Sequence, residues 1–201
     1  MGVKLDILNA MLAATGSASV VTATGNHPAL LRARPLLDAE NRSVQAQGHW
    51  FNTDWGLTLS PDSGGEFIVP QSTLKVDTTD SRSVFIRRGT RMYDPTTQTY
   101  VLPDTDTLDV DCVILLDYDD LPQSAIDYIK ARAIMEIILA YDADQLTLAA
   151  RANMTKVALL AFNTDRRSQR NITLRDNPTY ARIMAGAFRH GSQPNPLYIG
   201  G

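Results

Sequence analysis

A change of periodicity between residues 41 and 70 constrains the fold of this chain more than any other feature. Up to about residue 47 the apolar residues follow helical spacing. After the corner Gly48-His49-Trp50-Phe51-Asn52, apolar residues alternate with small or polar ones, as in a half-buried strand: Trp55, Leu57 and Leu59. The chain therefore has to join a helical part to a β-rich part at an aromatic corner.

Helical spacing predicts two helices before this corner and two after the β-rich part. The first covers about residues 3–15, with the apolar stripe Leu5, Leu8, Met11 and Leu12. Pro28 can begin the second helix, although Pro35 inside it should either kink it or mark its regular start. The third begins near Leu121, with a capping-box spacing at Ser124 and Asp127.

A fourth helix is expected after Asp142-Ala143-Asp144, with Asp142 and Gln145 as its caps. It should fade near Asn163. Its apolar stripe is Leu146, Ala150, Asn153, Val157 and Leu160.

Short runs rich in β-formers, separated by turn residues, predict about six strands between the second and third helices. They include Phe67–Val69, Thr73–Val76, Val84–Arg87, a hairpin from Arg91 to Leu102, and an alternating strand at residues 108–114. The predicted fold is α+β, with an antiparallel helical bundle of about four helices, a β-rich insertion between helices 2 and 3, and an extended C-terminal tail. The predicted boundaries are residues 1–50 and 118–170 for the bundle, 51–117 for the insertion and 171–201 for the tail.

The charge pattern bears on function. The 201 residues carry a net charge of −3, which argues against a general nucleic-acid binder. Eight aspartates and no basic residue lie between Asp104 and Asp127, whereas six arginines and two aspartates lie between Asp165 and His190. Such segregation favours head-to-tail association of copies or docking on another protein, although two solvated faces would look the same.

Candidate chemistry is sparse in the sequence. Neither the three histidines (His27, His49, His190) nor the single Cys112 has metal-ligand spacing, and the acidic run 104–111 lacks the glycine and glutamate of a calcium loop. The best pair for glycoside hydrolysis would come from Asp117, Asp119 and Asp120. A DNA-binding role would use the arginines Arg166, Arg167, Arg170, Arg175, Arg182 and Arg189. We expect no catalytic residue, metal site or cofactor, and no apolar run is long enough to span a membrane.

The last residues combine helix breakers with apolar anchors. Proline and glycine interrupt residues 176–201, yet large apolar residues remain, among them Tyr180, Ile183, Met184, Phe188 and Tyr198. Such a segment cannot recover its ordering entropy from a core of its own. We expect it to become ordered against a neighbour, or alternatively to pack as a frayed end on its parent domain.

Four segments in order resemble the tail tubular protein A family, the adaptor proteins of short-tailed bacteriophages. They are NRSVQAQGHWFN with the following LTLSPDSGGEFIVP, then RMYDPTTQTY, then LLDYDDLPQSAIDYIKARAIMEI, and finally DNPTYARIM. The resemblance implies a non-enzymatic structural protein of the virion tail that forms a ring of about twelve copies. The ring would join the portal protein to the nozzle protein (tail tubular protein B) and support tail-fibre attachment, while genomic DNA passes through without sequence-specific binding.

The same resemblance implies two sets of site residues. The portal-docking tail would include Arg175, Pro178, Tyr180, Arg182, Phe188 and Arg189, and the helix-to-sheet junction would include Gly48, Trp50, Phe51 and Trp55. We expect a neutral or acidic lumen, because a basic channel would hold the DNA in place. A tail-associated glycan hydrolase and a DNA-binding regulator remain the alternative functions.

Overall fold

The computed structural model describes residues 2–79, 85–102, 106–140 and 144–176. Within these ranges it contains four α-helices and five antiparallel strands, which confirms a mixed α+β fold. The helices are α1 (Val3–Ala14), α2 (Pro28–Gln45), α3 (Gln123–Leu139) and α4 (Gln145–Asp176). The strands are β1 (Thr53–Leu59), β2 (Thr73–Thr78), β3 (Ile86–Arg88), β4 (Arg91–Tyr93) and β5 (Leu108–Ile114), and a 3-10 turn (Tyr118–Asp120) precedes α3.

The first three helices share one hydrophobic core. Each contributes fully buried apolar side chains, for example Leu8 from α1, Leu37 from α2 and Ile129 from α3. Pro28 begins α2 at a position where its missing N–H costs nothing. The helix runs from Pro28 through Pro35 without ending, so the expected alternative that its regular part starts at Pro35 is wrong.

The strands form two small sheets on a second core. β5 lies between β1 and β2 in a three-stranded sheet, and β3 pairs with β4. The alternating strand predicted at 108–114 is confirmed as β5, whose Leu108, Val110 and Cys112 face this core. Phe67 is fully buried in the same cluster, but it belongs to a segment that pairs only through isolated bridges.

Two details of the β-rich part differ from the sequence prediction. The alternation in β1 breaks at a bulge between Asp54 and Leu57, where Gly56 has φ +64°. Trp55 is consequently 75 % exposed, while Leu59 is buried. The hairpin predicted from Arg91 to Leu102 also forms only in part. Its first strand, β4, pairs with β3 instead. Its second half forms only isolated bridges, and the bridge from Asp94 to Thr99 closes the loop.

The fourth helix begins after Asp144, as predicted, but ends later than predicted. Asp144 caps it, because its carboxylate accepts the Thr147 N–H at 2.8 Å; Asp142 lies outside the described residues. The predicted end near Asn163 is wrong, since α4 continues to Asp176. No proline or glycine occurs between Gln145 and Asp176, so nothing in the sequence breaks the helix there. Residues 177–201 of the predicted tail lie outside the described residues.

The predicted capping box at the start of α3 does not form. Pro122 occupies the N-cap position, and no side chain caps the helix. The Ser124 hydroxyl instead donates to the Asp165 carboxylate of α4 at 2.6 Å. This contact joins the beginning of α3 to the second half of α4.

Candidate functional site: the helix-to-sheet junction

The junction is a tight turn between α2 and β1 that requires glycine. Gly48 has φ +73°, in the left-handed region. A Cβ added there would lie 3.1 Å from Cγ2 of the buried Val113 and 3.6 Å from Oγ1 of Thr53. The turn therefore brings the end of α2 directly against the sheet.

Gln45, the last residue of α2, fixes the helix to the chain beyond β5. Its side chain is fully buried. The amide oxygen accepts the Leu116 N–H at 2.8 Å, and the amide nitrogen donates to the Leu116 carbonyl at 3.0 Å and to Oδ1 of Asn41 at 2.9 Å. One side chain thus bridges two segments that are 71 residues apart in the sequence.

Asn52 makes a second bridge from the other end of the turn. Its amide nitrogen donates to the carbonyls of Gln45 and Ile114, both at 2.9 Å, and its oxygen accepts the His49 N–H at 2.8 Å. The Ile114 N–H in turn donates to the Asn52 carbonyl at 2.8 Å. Because these buried groups are paired, the turn has one well-defined geometry.

His49 is buried at the centre of the turn in its neutral form. Its Nε2–H donates to the Val44 carbonyl at 2.9 Å, which leaves Nδ1 as the unprotonated nitrogen, and within the described residues Nδ1 has no partner. Burial lowers the pKa of His49, the bond to Val44 opposes this, and the positive charge of Arg166 lowers the pKa further.

An aromatic cluster connects the junction to α4 through Phe162. The Phe162 ring lies 4.9 Å from His49, 5.5 Å from Trp50 and 6.4 Å from Phe51, measured between ring centroids. It also stacks on Tyr128 of α3 at 5.6 Å. Phe162 is the only buried side chain among residues 145–169 of α4, so this cluster is the main anchor of that part of the helix.

The predicted junction residues lie near one another but in different environments. Trp50 and Phe51 are partly buried against the helical core. Gly48, Trp50 and Trp55 line a groove of about 200 Å³ on the outer side, together with Lys75, Asp77 and Arg166. The groove is small and polar at its rim, and it exposes Trp55 as an apolar anchor.

The residues predicted for the portal-docking tail cannot be placed in this geometry. Arg175 lies near the end of α4. Pro178, Tyr180, Arg182, Phe188 and Arg189 lie outside the described residues. Their role stays a prediction.

The acidic residues considered for hydrolysis surround the 3-10 turn. Asp117, Asp119 and Asp120 are all exposed. Asp119 accepts the Val3 N–H at the start of α1 at 3.2 Å. Tyr118 between them is buried; burial and the nearby Asp38, to which its hydroxyl donates at 3.1 Å, raise its pKa.

The acidic run before this turn forms part of the sheet. Asp109 accepts the Thr58 hydroxyl at 2.7 Å and Asp111 accepts the Gly56 N–H at 2.8 Å, which ties β5 to the bulged part of β1. In the described ranges no group of three or more His, Cys, Asp or Glu residues could hold a metal ion. Across the same ranges no helix has both the length and the apolar character needed to cross a bilayer.

A family model described as tail tubular protein matches residues 5–182 of the chain. The chain belongs to the tail tubular protein family. It is therefore a component of a virion tail, in a family whose members are structural. No curated protein matches the chain.

Three residues central to this tail tubular protein's junction are missed by sequence reasoning. Gln45 and Asn52 look like ordinary polar residues at a helix end, because sequence alone does not reveal that an amide is buried and paired. Phe162 falls outside the apolar stripe predicted for α4. The aromatic corner is the sequence signal that could have indicated a residue such as Phe162, because a cluster of rings needs a further apolar side chain to cover it.

Proposed function

We propose that this tail tubular protein is the subunit of an adaptor ring that joins the portal to the tail nozzle. In this proposal the helices form an antiparallel bundle that builds the ring wall, residues 51–117 face the nozzle and the tail fibres, and residues 171–201 reach the portal. Genomic DNA passes through a neutral or acidic lumen. The ring contains about twelve copies, as the family resemblance implies.

The family match over residues 5–182 carries this proposal. The junction supports it, because an adaptor has to hold two binding surfaces at a fixed angle. Gln45 joins α2 to Leu116 just beyond β5, and Asn52 joins the end of α2 to Ile114 of β5. Phe162 attaches α4 to the same corner. The exposed Trp55 offers an aromatic anchor on the side of the sheet that would meet another tail protein.

Mass measurement by size exclusion with light scattering tests the proposal. The full chain should form high-order assemblies, alone or once portal protein is added, and should retain no DNA at physiological salt. Release of reducing sugar from a glycan, lost on changing Asp117, Asp119 and Asp120 to Asn, would instead identify a tail-associated hydrolase. Salt-dependent DNA retention that needs Arg166 and Arg167 would identify a DNA-binding regulator.

A further inference from the structure

The apolar stripe that the sequence predicts for α4 does not face the core. Leu146 is 82 % exposed, Val157 and Leu160 are each 66 % exposed, and Met154 is 56 % exposed. These residues recur at helical spacing, so they form one continuous face, here called the outer face of α4. A helix gains most of its stability by burying an apolar face, and this one leaves it in contact with water.

A groove between α3 and α4 extends this outer face. It has a volume of about 510 Å³ and is lined by Ile134 of α3 together with Met154, Val157, Ala158 and Ala161 of α4. Charged side chains lie at its rim, including Asp127, Lys130 and Arg151. A contiguous apolar surface with a polar rim is typical of a protein–protein contact.

Charge indicates what covers this face. Residues 145–176 contain six basic and two acidic residues, a formal charge of +4, whereas residues 1–144 contain eleven basic and twenty acidic ones, a formal charge of −9. Two copies of α4 packed on each other would place like charges together. A complementary occupant is therefore a second copy that presents a different, acidic surface.

The chain has such a surface on another side of α3. Asp6 of α1 is exposed, as are Asp117, Asp119 and Asp120 around the 3-10 turn, and the bond from the Val3 N–H to Asp119 holds these elements together. These four aspartates are here called the acidic edge.

The helical positions of α3 separate this edge from α4. Ser124 and Ala131 of α3 contact α4. Ile126 instead lines a groove with Val3 and Ile7 of α1, on a different side of the helix. Lys130 of α3 lines both this groove and the groove beside α4, so the acidic edge and the outer face of α4 are two separate patches on neighbouring sides of α3.

We propose that the outer face of α4 binds a second copy of this chain through that copy's acidic edge, so that the subunits associate head-to-tail. The inference rests on the proposed function, because a ring needs one patch to meet a different patch on the next copy. It adds which two surfaces meet. The apolar stripe provides the buried area, and the charges set the orientation.

The test uses the full chain and its assembled mass. Changing Val157→Asp together with Leu160→Asp should raise the protein concentration needed for assembly at least about tenfold, because both charges would be buried at the contact. The helix content and unfolding temperature of the separated monomer should stay as in the unchanged chain. Val21→Asp is the matched control, since Val21 is an exposed apolar residue in the loop between α1 and α2, and it should leave the assembled mass unchanged.

Charge reversal tests the head-to-tail orientation. Lys156→Glu with Arg167→Glu should weaken assembly, and so should Asp117→Lys with Asp120→Lys. Mixing these two variants should restore assembly, because each variant's outer face meets an edge of opposite charge only on the other variant. Native mass spectrometry should therefore show assemblies that contain the two variants in equal numbers. Failure of the mixture to assemble would overturn the assignment of the acidic edge.

Other outcomes separate this inference from the proposed function. If the unchanged chain never assembles, with or without portal, the proposed function fails. If it assembles and the Val157→Asp/Leu160→Asp variant assembles equally well, only this inference fails. This inference alone also fails if that variant still forms rings but loses portal binding. It likewise fails alone if hydrogen exchange shows that residues 177–201 of the same chain cover the outer face.

Discussion

At the scale of single residues, two buried amides set the geometry between the helices and the sheet. Gln45 and Asn52 together satisfy backbone groups of Leu116, Ile114 and His49, which lie away from water at the junction. Leaving a buried donor or acceptor without a partner costs more than the net gain from forming its hydrogen bond. These amides therefore act as positioning residues.

Changing Gln45→Ala should lower the free energy of unfolding by about 1–3 kcal/mol, because the Leu116 N–H and carbonyl lose their partner in the interior. Denaturant unfolding of the monomer measures this. Gln47→Ala is the matched control, since Gln47 is an exposed amide two residues away, and it should change stability by less than about 0.5 kcal/mol. Equal effects of the two variants would contradict the bridging role.

His49 should make the fold sensitive to mild acid. Its pKa in the folded state lies below 6.5, the ordinary value for histidine, because burial and the positive charge of Arg166 disfavour the charged ring. The stability that the neutral ring contributes is thus fully present above pH 6.5 and is lost as the pH falls below that value toward the folded pKa. Unfolding measured between about pH 7 and about pH 5 should show this loss.

The variant His49→Gln should have a shallower loss over the same interval, because the group that titrates has been removed. His27→Gln is the control, since His27 is an exposed side chain before α2, and it should follow the unchanged protein. An identical pH dependence in His49→Gln and the unchanged protein would exclude His49 as the source.

At the scale of elements, α4 is anchored by one buried side chain rather than by a buried stripe. Phe162 is 2 % exposed, and its ring contacts the junction and α3 at once. The other side chains of residues 145–169 are half-buried or exposed. The helix is therefore the element whose packing is least complete within one chain.

Phe162→Ala should cost about 3–5 kcal/mol of unfolding free energy, the range for removing a buried aromatic side chain. The loss should be accompanied by faster amide exchange in α4, because the helix loses its anchor. Leu160→Ala, two positions away and exposed, should change the stability of the monomer by less than about 0.5 kcal/mol. Slow exchange of α4 in Phe162→Ala would contradict the single-anchor interpretation.

The elements that could be predicted are those whose apolar face is buried by other residues of the same chain. The stripe of Leu5, Leu8 and Met11 in α1 and the alternation in β5 predict the helix and strand that form, because one side of each is buried. For α4 the same reasoning finds a helix but assigns the wrong face to the core. Sequence periodicity reports that a face is apolar, and it does not report whether the chain itself or a neighbour covers it.

The details that could not be predicted depend on contacts between distant residues. The bulge at Gly56 displaces Trp55 from the alternation that its spacing suggests. The pairing of Gln45 with Leu116 spans 71 positions, and no local pattern marks it. The charge segregation was visible in the sequence, yet it becomes informative only when α4 and the acidic edge are placed on different sides of α3.

At the scale of the whole molecule, the last residues should serve assembly and not folding. Among the described residues, the buried members of the two hydrophobic cores lie between Ile7 and Phe162. Deleting residues 177–201 should therefore leave the unfolding temperature of the monomer nearly unchanged and impair binding to the portal. A deletion that prevents folding would show that these residues belong to the core.

Negative-stain microscopy of the full chain mixed with its portal protein is the decisive experiment, because it shows self-association and portal binding in the same images. We expect closed rings of about twelve copies seated on the portal, with an open lumen. Single compact particles that neither associate with one another nor bind the portal would contradict it.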